Sequence, residues 1–275
     1  MLSLNCNGKF LVIERPAVMG IINVTPDSFY GASRFVNEDE IIQQAEKMLN
    51  EGAVILDIGG QSTRPNSERT SADEELKRVI NPIKSLHANF PGAIISIDTY
   101  HSKVAEQCIG AGASMVNDVS AGNMDNNMIK TVARFRVPYI CMHMRGTPEN
   151  MQKKTSYENV TRDILDFFIR KVDECRNAGI HDIIIDPGIG FGKTIAQNFQ
   201  LIRELAVFKI LEKPVLVGLS RKSTIYKTLG LDVEAALNGT TVLNTIALLN
   251  GANILRVHDV REAREAILLV DQYQQ

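Results

Sequence analysis

One unit recurs along this chain of 275 residues and limits the folds that it can form. In each copy a helical pattern ends in glycine, a short apolar run follows, and a polar side chain ends the run. Gly52 leads in this way to Asp57, and Gly179 leads to Asp186. Glycine just after a helix adopts the left-handed conformation without steric cost, and apolar runs without alternation are typical of parallel strands buried on both faces. The repeat therefore predicts alternating helices and parallel strands.

Eight apolar runs fit such strands. They span residues 18–23, 54–58, 94–98, 115–118, 139–143, 183–186, 215–219 and 254–257. Eight strand-and-helix units are the number in a closed barrel, whereas an open doubly wound sheet usually has five or six strands. Residues 4–14, with Asn7-Gly8 as the turn, predict a hairpin before the first barrel strand. We therefore predict an α/β fold, a (β/α)8 TIM barrel with a short N-terminal β-hairpin, in which residues 1–275 form a single domain.

The composition excludes several functional classes. A formal net charge of -2 with mixed signs gives no basis for binding nucleic acid or an anionic membrane. The four cysteines are widely spaced and include no CxxC pair, so reduced thiols are favoured over disulfides or a metal site. No segment approaches the apolar length of a membrane span, and the N-terminus lacks the pattern of a signal peptide. We expect a soluble, cytoplasmic protein.

Nearly every predicted strand ends in a polar side chain, and in such barrels the C-terminal ends of the strands carry the active site. The set comprises Asn23, Asp57, Asp98, Asn117, His143, Asp186, Ser220, Arg221, Lys222, Arg256 and His258, with Arg64 in a following loop. Any one of them could be a structural hydrogen-bonding group, but their convergence favours a ligand site. Carboxylates and amides suit a flat heterocycle with several N–H groups, whereas the cations suit a polyphosphate or a carboxylate. The rim is therefore expected to bind a ligand that is part heterocycle and part anion.

The glycine-rich stretch 188–194 resembles two nucleotide-binding motifs but fits neither. A P-loop would need glycine at position 187, where Pro187 stands. A dinucleotide-binding GxGxxG would need glycine at position 193 or 195, where Lys193 and Ile195 stand. We therefore predict a loop after Asp186 whose backbone closely approaches a ligand. The histidines and cysteines show no zinc-binding spacing, and no base in the sequence near Ser220 supports a nucleophilic triad.

Eight longer motifs span residues 19–29, 57–65, 96–99, 116–120, 142–146, 186–193, 218–223 and 256–259. Taken together and in this order, they resemble the dihydropteroate synthases, a family of pterin-binding TIM barrels. The resemblance implies that a 7,8-dihydropterin-6-ylmethyl group is transferred from its diphosphate ester, dihydropterin pyrophosphate, to para-aminobenzoate, with release of pyrophosphate. It also implies a role in folate biosynthesis, Mg²⁺ as the cofactor and a homodimer.

The same resemblance implies a role for individual residues. The implied pterin-binding residues are Asp98, Asn117, Met142, Asp186, Phe191, Gly218 and Lys222. The implied pyrophosphate-binding residues are Asn23, Thr63, Arg256 and His258, and Asn23 is also the implied Mg²⁺ ligand. The para-aminobenzoate site would comprise Phe29, Arg64, Pro65 and Ser220, the last at the start of the following helix. The implied catalytic residues are Asp27, Thr63, Arg64 and Lys222.

The chain departs from the family pattern at three loop positions. Gly31 stands where the family commonly has aspartate, Gln61 where it usually has glutamate, and Asn66 where it usually has glycine. Two alternatives follow. A methyltetrahydrofolate-binding methyltransferase barrel would hold a pterin with similar residues, but it has no use for the Ser-Thr-Arg-Pro loop. The altered first loop also fits a pterin-binding paralogue without catalytic activity. Pyrophosphate release that requires para-aminobenzoate would exclude both alternatives.

Overall fold

The computed structural model describes residues 2–25, 38–61 and 69–275. A hairpin comes first, formed by β1 (Leu2–Cys6) and β2 (Lys9–Ile13) in antiparallel pairing. The barrel strands are β3 (Ala17–Asn23), β4 (Ile55–Gly59), β5 (Ile94–Asp98), β6 (Met115–Asp118), β7 (Tyr139–Met142), β8 (Ile183–Asp186), β9 (Leu216–Val217) and β10 (Ile254–Val257). They pair in parallel in the order β8-β7-β6-β5-β4-β3-β10-β9, and one bridge between Ile185 and Val215 joins the two ends. The predicted hairpin and eight-stranded barrel are confirmed.

Helices alternate with the barrel strands and pack around them. The described residues form α1 (Glu38–Asn50), α2 (Ala72–Asn89), α3 (Ser102–Gly110), α4 (Met128–Phe135), α5 (Val160–Asn177), α6 (Ile195–Arg203), α7 (Ser223–Leu229), α8 (Leu237–Leu249) and α9 (Val260–Gln274). Ser71 caps α2 by accepting a hydrogen bond from the N–H of Glu74, and the side chain of Thr194 caps α6 in the same way. A membrane-spanning helix, which must be both long and apolar, is not found in these segments.

Four strands differ from their predicted bounds. β3 begins one residue early, at Ala17, whose N–H donates to the carbonyl of Asn253. β4 begins and ends one residue later than predicted, at Ile55 and Gly59; Val54 is 42% exposed, although its N–H still donates to the carbonyl of Val18. β7 ends at Met142, although the N–H of His143 still donates to the carbonyl of Asp186. β9 is only two residues long, since it pairs with β10 alone and meets β8 at a single bridge. The barrel is therefore least regular where β8 and β9 close it.

Side chains alternate between the interior of the barrel and the surrounding helices. The inward side chains at the N-terminal ends of the strands are apolar and form one cluster with the hairpin. This cluster includes Leu4, Cys6, Leu11, Ile13, Met19, Ile55, Ile94, Met115, Ile140, Ile184, Leu216 and Ile254. The hairpin therefore covers the base of the barrel. Two residues along, most of the inward positions carry polar side chains, namely Asp57, Ser96, Asn117, Asp186 and Arg256.

Candidate active site

A guanidinium lies between two carboxylates inside the barrel mouth. Nε of Arg256 donates to Oδ2 of Asp57 at 2.6 Å, and Nη2 donates to Oδ2 of Asp98 at 2.6 Å. The Nδ2 amide of Asn117 donates to the same Asp57 oxygen at 3.0 Å. Burial raises the pKa of Asp98 to about 7, although Arg256 acts in the opposite direction. Four strands, β4, β5, β6 and β10, each supply one member of this polar network.

Two buried oxygens next to this network lack a partner within the described part of the chain. They are Oδ1 of Asp57 and Oγ of Ser96, which occupy paired positions on β4 and β5. Buried polar atoms are nearly always hydrogen-bonded in native proteins, so an unpaired acceptor and an unpaired hydroxyl on neighbouring strands need an explanation. The network therefore leaves an unpaired carboxylate oxygen and an unpaired hydroxyl buried inside the barrel, among the described residues.

Asp186, at the end of β8, lies beside a cation and an aromatic ring. Its Oδ1 accepts a hydrogen bond from the N–H of Gly188 at 2.7 Å, and burial raises its pKa. Nζ of Lys222 donates to the carbonyl of Ile189 at 2.6 Å and lies 4.6 Å from the ring centroid of Phe191. Burial lowers the pKa of Lys222 to about 8, while Asp186 acts in the opposite direction. A flat polar ring could therefore meet a carboxylate, an ammonium and an aromatic face at one place.

An apolar cluster forms one wall of the mouth. Met142 packs there with Tyr100, Val119, Met144 and Met151, and Phe191 packs against the group at its partly exposed edge. Gly218, on the other side, brings only backbone close to the site, since a Cβ there would lie 3.6 Å from Nζ of Lys222. Thioether side chains adapt their shape to a neighbour, so this wall suits the face of a planar ligand. The seven predicted pterin residues therefore converge on the mouth.

Asn23 ends β3 and is the residue that could hold a metal ion. Its Oδ1 and the carboxylate of Asp98 flank Gly59, where a Cβ would lie 3.5 Å from the amide oxygen. The described residues contain no group of three or more histidine, cysteine, aspartate or glutamate side chains placed to bind a metal. Mg²⁺ commonly keeps several waters and takes only one or two protein oxygens, with substrate phosphates completing its shell. A single amide oxygen at the rim fits that kind of site.

Ser220 and His258 contact each other on the same side of the mouth. Their Oγ and Nδ1 atoms are 3.0 Å apart, and the N–H of His258 also donates to Oγ of Ser220 at 3.2 Å. The expectation that Ser220 starts the next helix is wrong, because α7 begins at Ser223 and Lys222 occupies the capping position. A helix N-terminus therefore gives no reason for an anion to bind at Ser220, whose hydroxyl is turned towards the last strand instead.

Arg221 is not part of the rim's anion-binding set. Its Nε and Nη2 atoms form a two-pronged ion pair with the Asp259 carboxylate at 2.9 and 2.8 Å. Its backbone is left-handed, with φ of +53°, and its N–H donates to the hydroxyl of Thr240. The side chain therefore joins the loop before α7 to the start of α9, and the backbone N–H joins it to α8. These contacts indicate a structural role.

Several predicted residues lie outside the described residues. They are Asp27, Phe29, Thr63, Arg64 and Pro65. The described chain stops at Thr25 and Gln61 on one side of these segments and resumes at Glu38 and Arg69 on the other. Their roles as catalytic, pyrophosphate and para-aminobenzoate residues stay predictions. The departures at Gly31 and Asn66 fall in the same two segments.

Sequence reasoning gave no role to two buried charged residues of the site. Asp57 was placed among the strand-end polar groups, but its contacts with Arg256 and Asn117 were not expected. Inward alternation from Ile55 to Asp57 could have indicated it. The sequence pattern assigns Lys193 only to the end of a motif, yet its side chain is buried beneath the glycine loop. Asp118, by contrast, faces outward and is satisfied by Ser120, Gly122 and Tyr139.

Comparison with known proteins gives one consistent result. The profile of a family described as pterin binding enzyme matches residues 19–258. The dihydropteroate synthase of Haemophilus influenzae is 41% identical over 261 residues, which cover 94% of each chain. A Yersinia pestis dihydropteroate synthase, solved with a sulfonamide drug complex, superposes with a TM-score of 0.94 at 38% identity and 99% coverage of both chains. The Xanthomonas albilineans enzyme with 4-aminobenzoic acid gives a TM-score of 0.92 at 37% identity, over 99% of this chain and 98% of the other.

Proposed function

The chain belongs to the dihydropteroate synthase family of pterin-binding enzymes, and on that premise we propose how its barrel mouth carries out the family's reaction. The reaction transfers the 7,8-dihydropterin-6-ylmethyl group from its diphosphate ester to para-aminobenzoate and releases pyrophosphate. One observation carries the assignment of residues: Asp98, Asn117, Asp186 and Lys222 converge from different strands and loops on one mouth. We treat residues 1–275 as a single catalytic unit.

Pterin recognition follows from the hydrogen-bonding character of these side chains. The Asp186 carboxylate accepts from the two N–H groups of the aminopyrimidine edge, because one of its oxygens is already fixed by Gly188 and its orientation is set. Asp98 and Asn117 hydrogen-bond the opposite part of the ring. Lys222 donates to a ring acceptor, and Phe191 and Met142 cover its faces. Hydrogen bonds to two edges of the flat ring therefore favour a pterin over a purely apolar ring.

The chemistry is a substitution at the exocyclic carbon of the pterin. The bond from this carbon to the pyrophosphate oxygen breaks first, and the oxygen keeps the electron pair. The pterin ring delocalises the positive charge that remains on the carbon. The amine of para-aminobenzoate then attacks, a C–N bond forms, and the nitrogen loses a proton. An arylamine is already nucleophilic near neutral pH, so this chain needs to orient it and exclude water more than to supply a strong base.

The leaving group needs charge stabilisation at the rim. His258, on the segment that follows β10, and Arg256 lie on the side of the mouth from which the pyrophosphate would depart. Asn23 would hold Mg²⁺ against the pyrophosphate, and that ion would neutralise charge as the C–O bond breaks. Thr63 completes the pyrophosphate contacts in the proposal. Asp27, Phe29, Arg64, Pro65 and Ser220 complete the acceptor site and its closure.

The decisive experiment measures pyrophosphate release from purified protein with dihydropterin pyrophosphate and Mg²⁺. We expect steady release only when para-aminobenzoate is present, and formation of dihydropteroate in equal amount. A methyltransferase barrel or a non-catalytic pterin-binding paralogue would give no such release. Release at the same rate without para-aminobenzoate would contradict the proposed acceptor.

We also propose that the enzyme is a homodimer and that α8 lies at the interface. Val242, Ile246 and Leu249 are 49%, 38% and 44% exposed, and their spacing puts them on one face of α8. Leu269 and Tyr273 on the neighbouring α9 are 73% and 80% exposed. An apolar stripe of this kind is typical of a surface that a second copy covers in a two-fold arrangement.

Ile246→Glu should convert the dimer to a monomer, because a charge would be buried without a partner at the interface. Sedimentation equilibrium of the variant would measure the mass directly. Ile169→Glu is the matched control, since Ile169 is 51% exposed on α5, away from the stripe. The control should stay dimeric. A wild-type monomer, or a dimeric Ile246→Glu variant, would contradict the proposed interface.

A further inference from the structure

Lys193 ends the glycine loop after β8, and its side chain folds back beneath that loop. The residue is only 3% exposed. Its Nζ donates to the carbonyl oxygens of Gly188 at 2.8 Å and Phe191 at 2.9 Å. It also contacts His143 at the end of β7, at 3.3 Å from the carbonyl oxygen and 3.2 Å from Nδ1. One ammonium thus ties both ends of the loop to the neighbouring strand.

The carbonyl groups of the loop depend largely on side chains for hydrogen bonds, because its backbone is neither helix nor strand. One backbone bond, from the N–H of Phe191 to the carbonyl of Gly188, is also present. Gly188, Gly190 and Gly192 are left-handed, with φ of +68°, +88° and +62°, and this arrangement turns successive carbonyl groups in different directions. Besides the two carbonyls that Lys193 binds, three others accept from side chains. These pairs are Ile189 with Lys222, Gly190 with Gln152 and Gly192 with Tyr157. Lys193 alone accounts for two of the five carbonyl groups of residues 188–192.

The same loop carries the groups that face the pterin in the proposed function. Phe191 presents its ring to Nζ of Lys222 at 4.6 Å, and Ile189 presents its carbonyl to the same atom at 2.6 Å. Gly188 donates its N–H to the Asp186 carboxylate. Gly188 also has no room for a side chain, because a Cβ would lie 2.0 Å from the carbonyl oxygen of His143. A shift of the loop would therefore displace Phe191, Lys222 and Asp186 together.

We propose that Lys193 is a positioning residue for pterin binding: its buried ammonium fixes the glycine loop, and the loop in turn fixes Phe191, Lys222 and Asp186. The proposal rests on the proposed function, since it assigns this loop to the pterin substrate. Lys193 does not touch the substrate, because it lies below the loop that separates it from the mouth. Its effect is confined to the pterin side, since its contacts are with the 188–192 loop and β7.

Burying an ammonium here is unfavourable, which argues for a specific use. Burial lowers the pKa of Lys193 to about 7, while Asp186 acts in the opposite direction and Lys222 and Arg145 act in the same direction. Burial and the neighbouring Lys193 also push the pKa of His143 well below its usual value, so the ring is neutral and can accept at Nδ1. An apolar side chain would avoid this desolvation, but it would remove the donor to the Phe191 carbonyl and leave the Gly188 carbonyl with the N–H of Phe191 alone.

Lys193→Met tests the inference against Lys171→Met. Lys171 on α5 is a suitable control, because it is also buried, at 7% exposure, but its ammonium donates to Glu174 on the same helix and to Asn123 before α4. We expect Lys193→Met to weaken binding of dihydropterin pyrophosphate at least tenfold in calorimetry and to raise its KM by a similar factor. The KM for para-aminobenzoate should change less than threefold. Lys171→Met should shift thermal unfolding and leave both substrate constants unchanged.

A folded Lys193→Met protein that binds dihydropterin pyrophosphate as tightly as wild type would overturn the inference. So would equal losses for both substrates, which would indicate a general structural role. If Lys193→Met does not fold, Lys193→Gln carries the test, because its amide keeps two N–H donors. We expect at least threefold weaker pterin binding with an unchanged KM for para-aminobenzoate, and unchanged pterin binding would again overturn the inference. A wild-type protein without acceptor-dependent turnover would instead refute the proposed function, and calorimetry would still report on Lys193.

Discussion

Asp186→Asn should weaken binding of dihydropterin pyrophosphate by roughly a hundredfold or more and reduce turnover to near background. A lost hydrogen bond to a charged group is worth about 1.5–3 kcal/mol, and two N–H groups of the pterin depend on this carboxylate. The N–H of Gly188 already holds one oxygen. In asparagine the remaining position becomes an NH₂ group, which would face the donors of the ligand. Calorimetry with dihydropterin pyrophosphate and a steady-state assay would measure both effects.

The variant should nevertheless have a free energy of unfolding within about 1 kcal/mol of wild type. Burial raises the pKa of Asp186, which means that its negative charge does not stabilise the folded protein without ligand. Asp118→Asn, at the end of β6, is the matched control. Asp118 is equally buried but accepts from Ser120, Gly122 and Tyr139 on the helix side. That change should lower stability and leave pterin affinity unchanged. Wild-type pterin affinity in Asp186→Asn would refute the assigned role.

Arg256→Met should have the largest effect on stability. The guanidinium bridges Asp57 and Asp98 at 2.6 Å to each, and Asp57 is fully buried. Removing one partner of a buried ion pair typically destabilises a protein by about 3–5 kcal/mol, because the remaining charges lose their compensation. We expect a loss of that order in the free energy of unfolding, measured with urea, together with loss of turnover.

This loss should depend on pH. Burial raises the pKa of Asp98 to about 7 even with Arg256 present, and removing the cation would raise it further. A carboxyl group with a higher pKa in the folded than in the unfolded state binds more protons when folded, so stability falls as pH rises from about 4 through the folded pKa. Arg256→Met should therefore be more stable at pH 5 than at pH 8.

Arg221→Met, which breaks the more exposed pair with Asp259, should cost less and show little of this dependence. Equal losses for the two variants would show that burial of the network is not the cause.

The barrel and its strand ends could be predicted because their signals are local. Glycine after a helix and a short apolar run are read directly from consecutive residues, as for Gly179 and the strand that ends at Asp186. The hairpin was equally local, with Asn7-Gly8 as its turn, and Asn7 and Gly8 both have positive φ. Because every strand runs in the same direction, their polar ends necessarily meet at one mouth. The residues predicted to bind the pterin therefore lie together at this mouth, and their role stays a prediction.

The partners of individual side chains could not be predicted, since barrel closure decides them. Arg256 meets Asp57 across 199 residues of sequence, and only the pairing of β10 with β3 and of β3 with β4 brings them close. Ser220 was assigned to a helix start from the family resemblance, but the helix begins three residues later. Lys193 gave no signal of burial, because a lysine after a glycine loop is ordinarily exposed. Each case depends on tertiary geometry that local patterns do not contain.

The hairpin at the base of the barrel has a consequence for the order of events in turnover. Within the described residues β1 and β2 cover one end of the barrel, so substrates and products are expected to pass through the opening at the other end. The pterin occupies the deepest position in the proposed site, next to Asp57 and Asp186, and the acceptor and pyrophosphate lie nearer the rim. We therefore expect the deepest ligand to enter first and leave last. Pyrophosphate can therefore depart while the joined product is still bound, and release of that product frees the barrel for the next pterin.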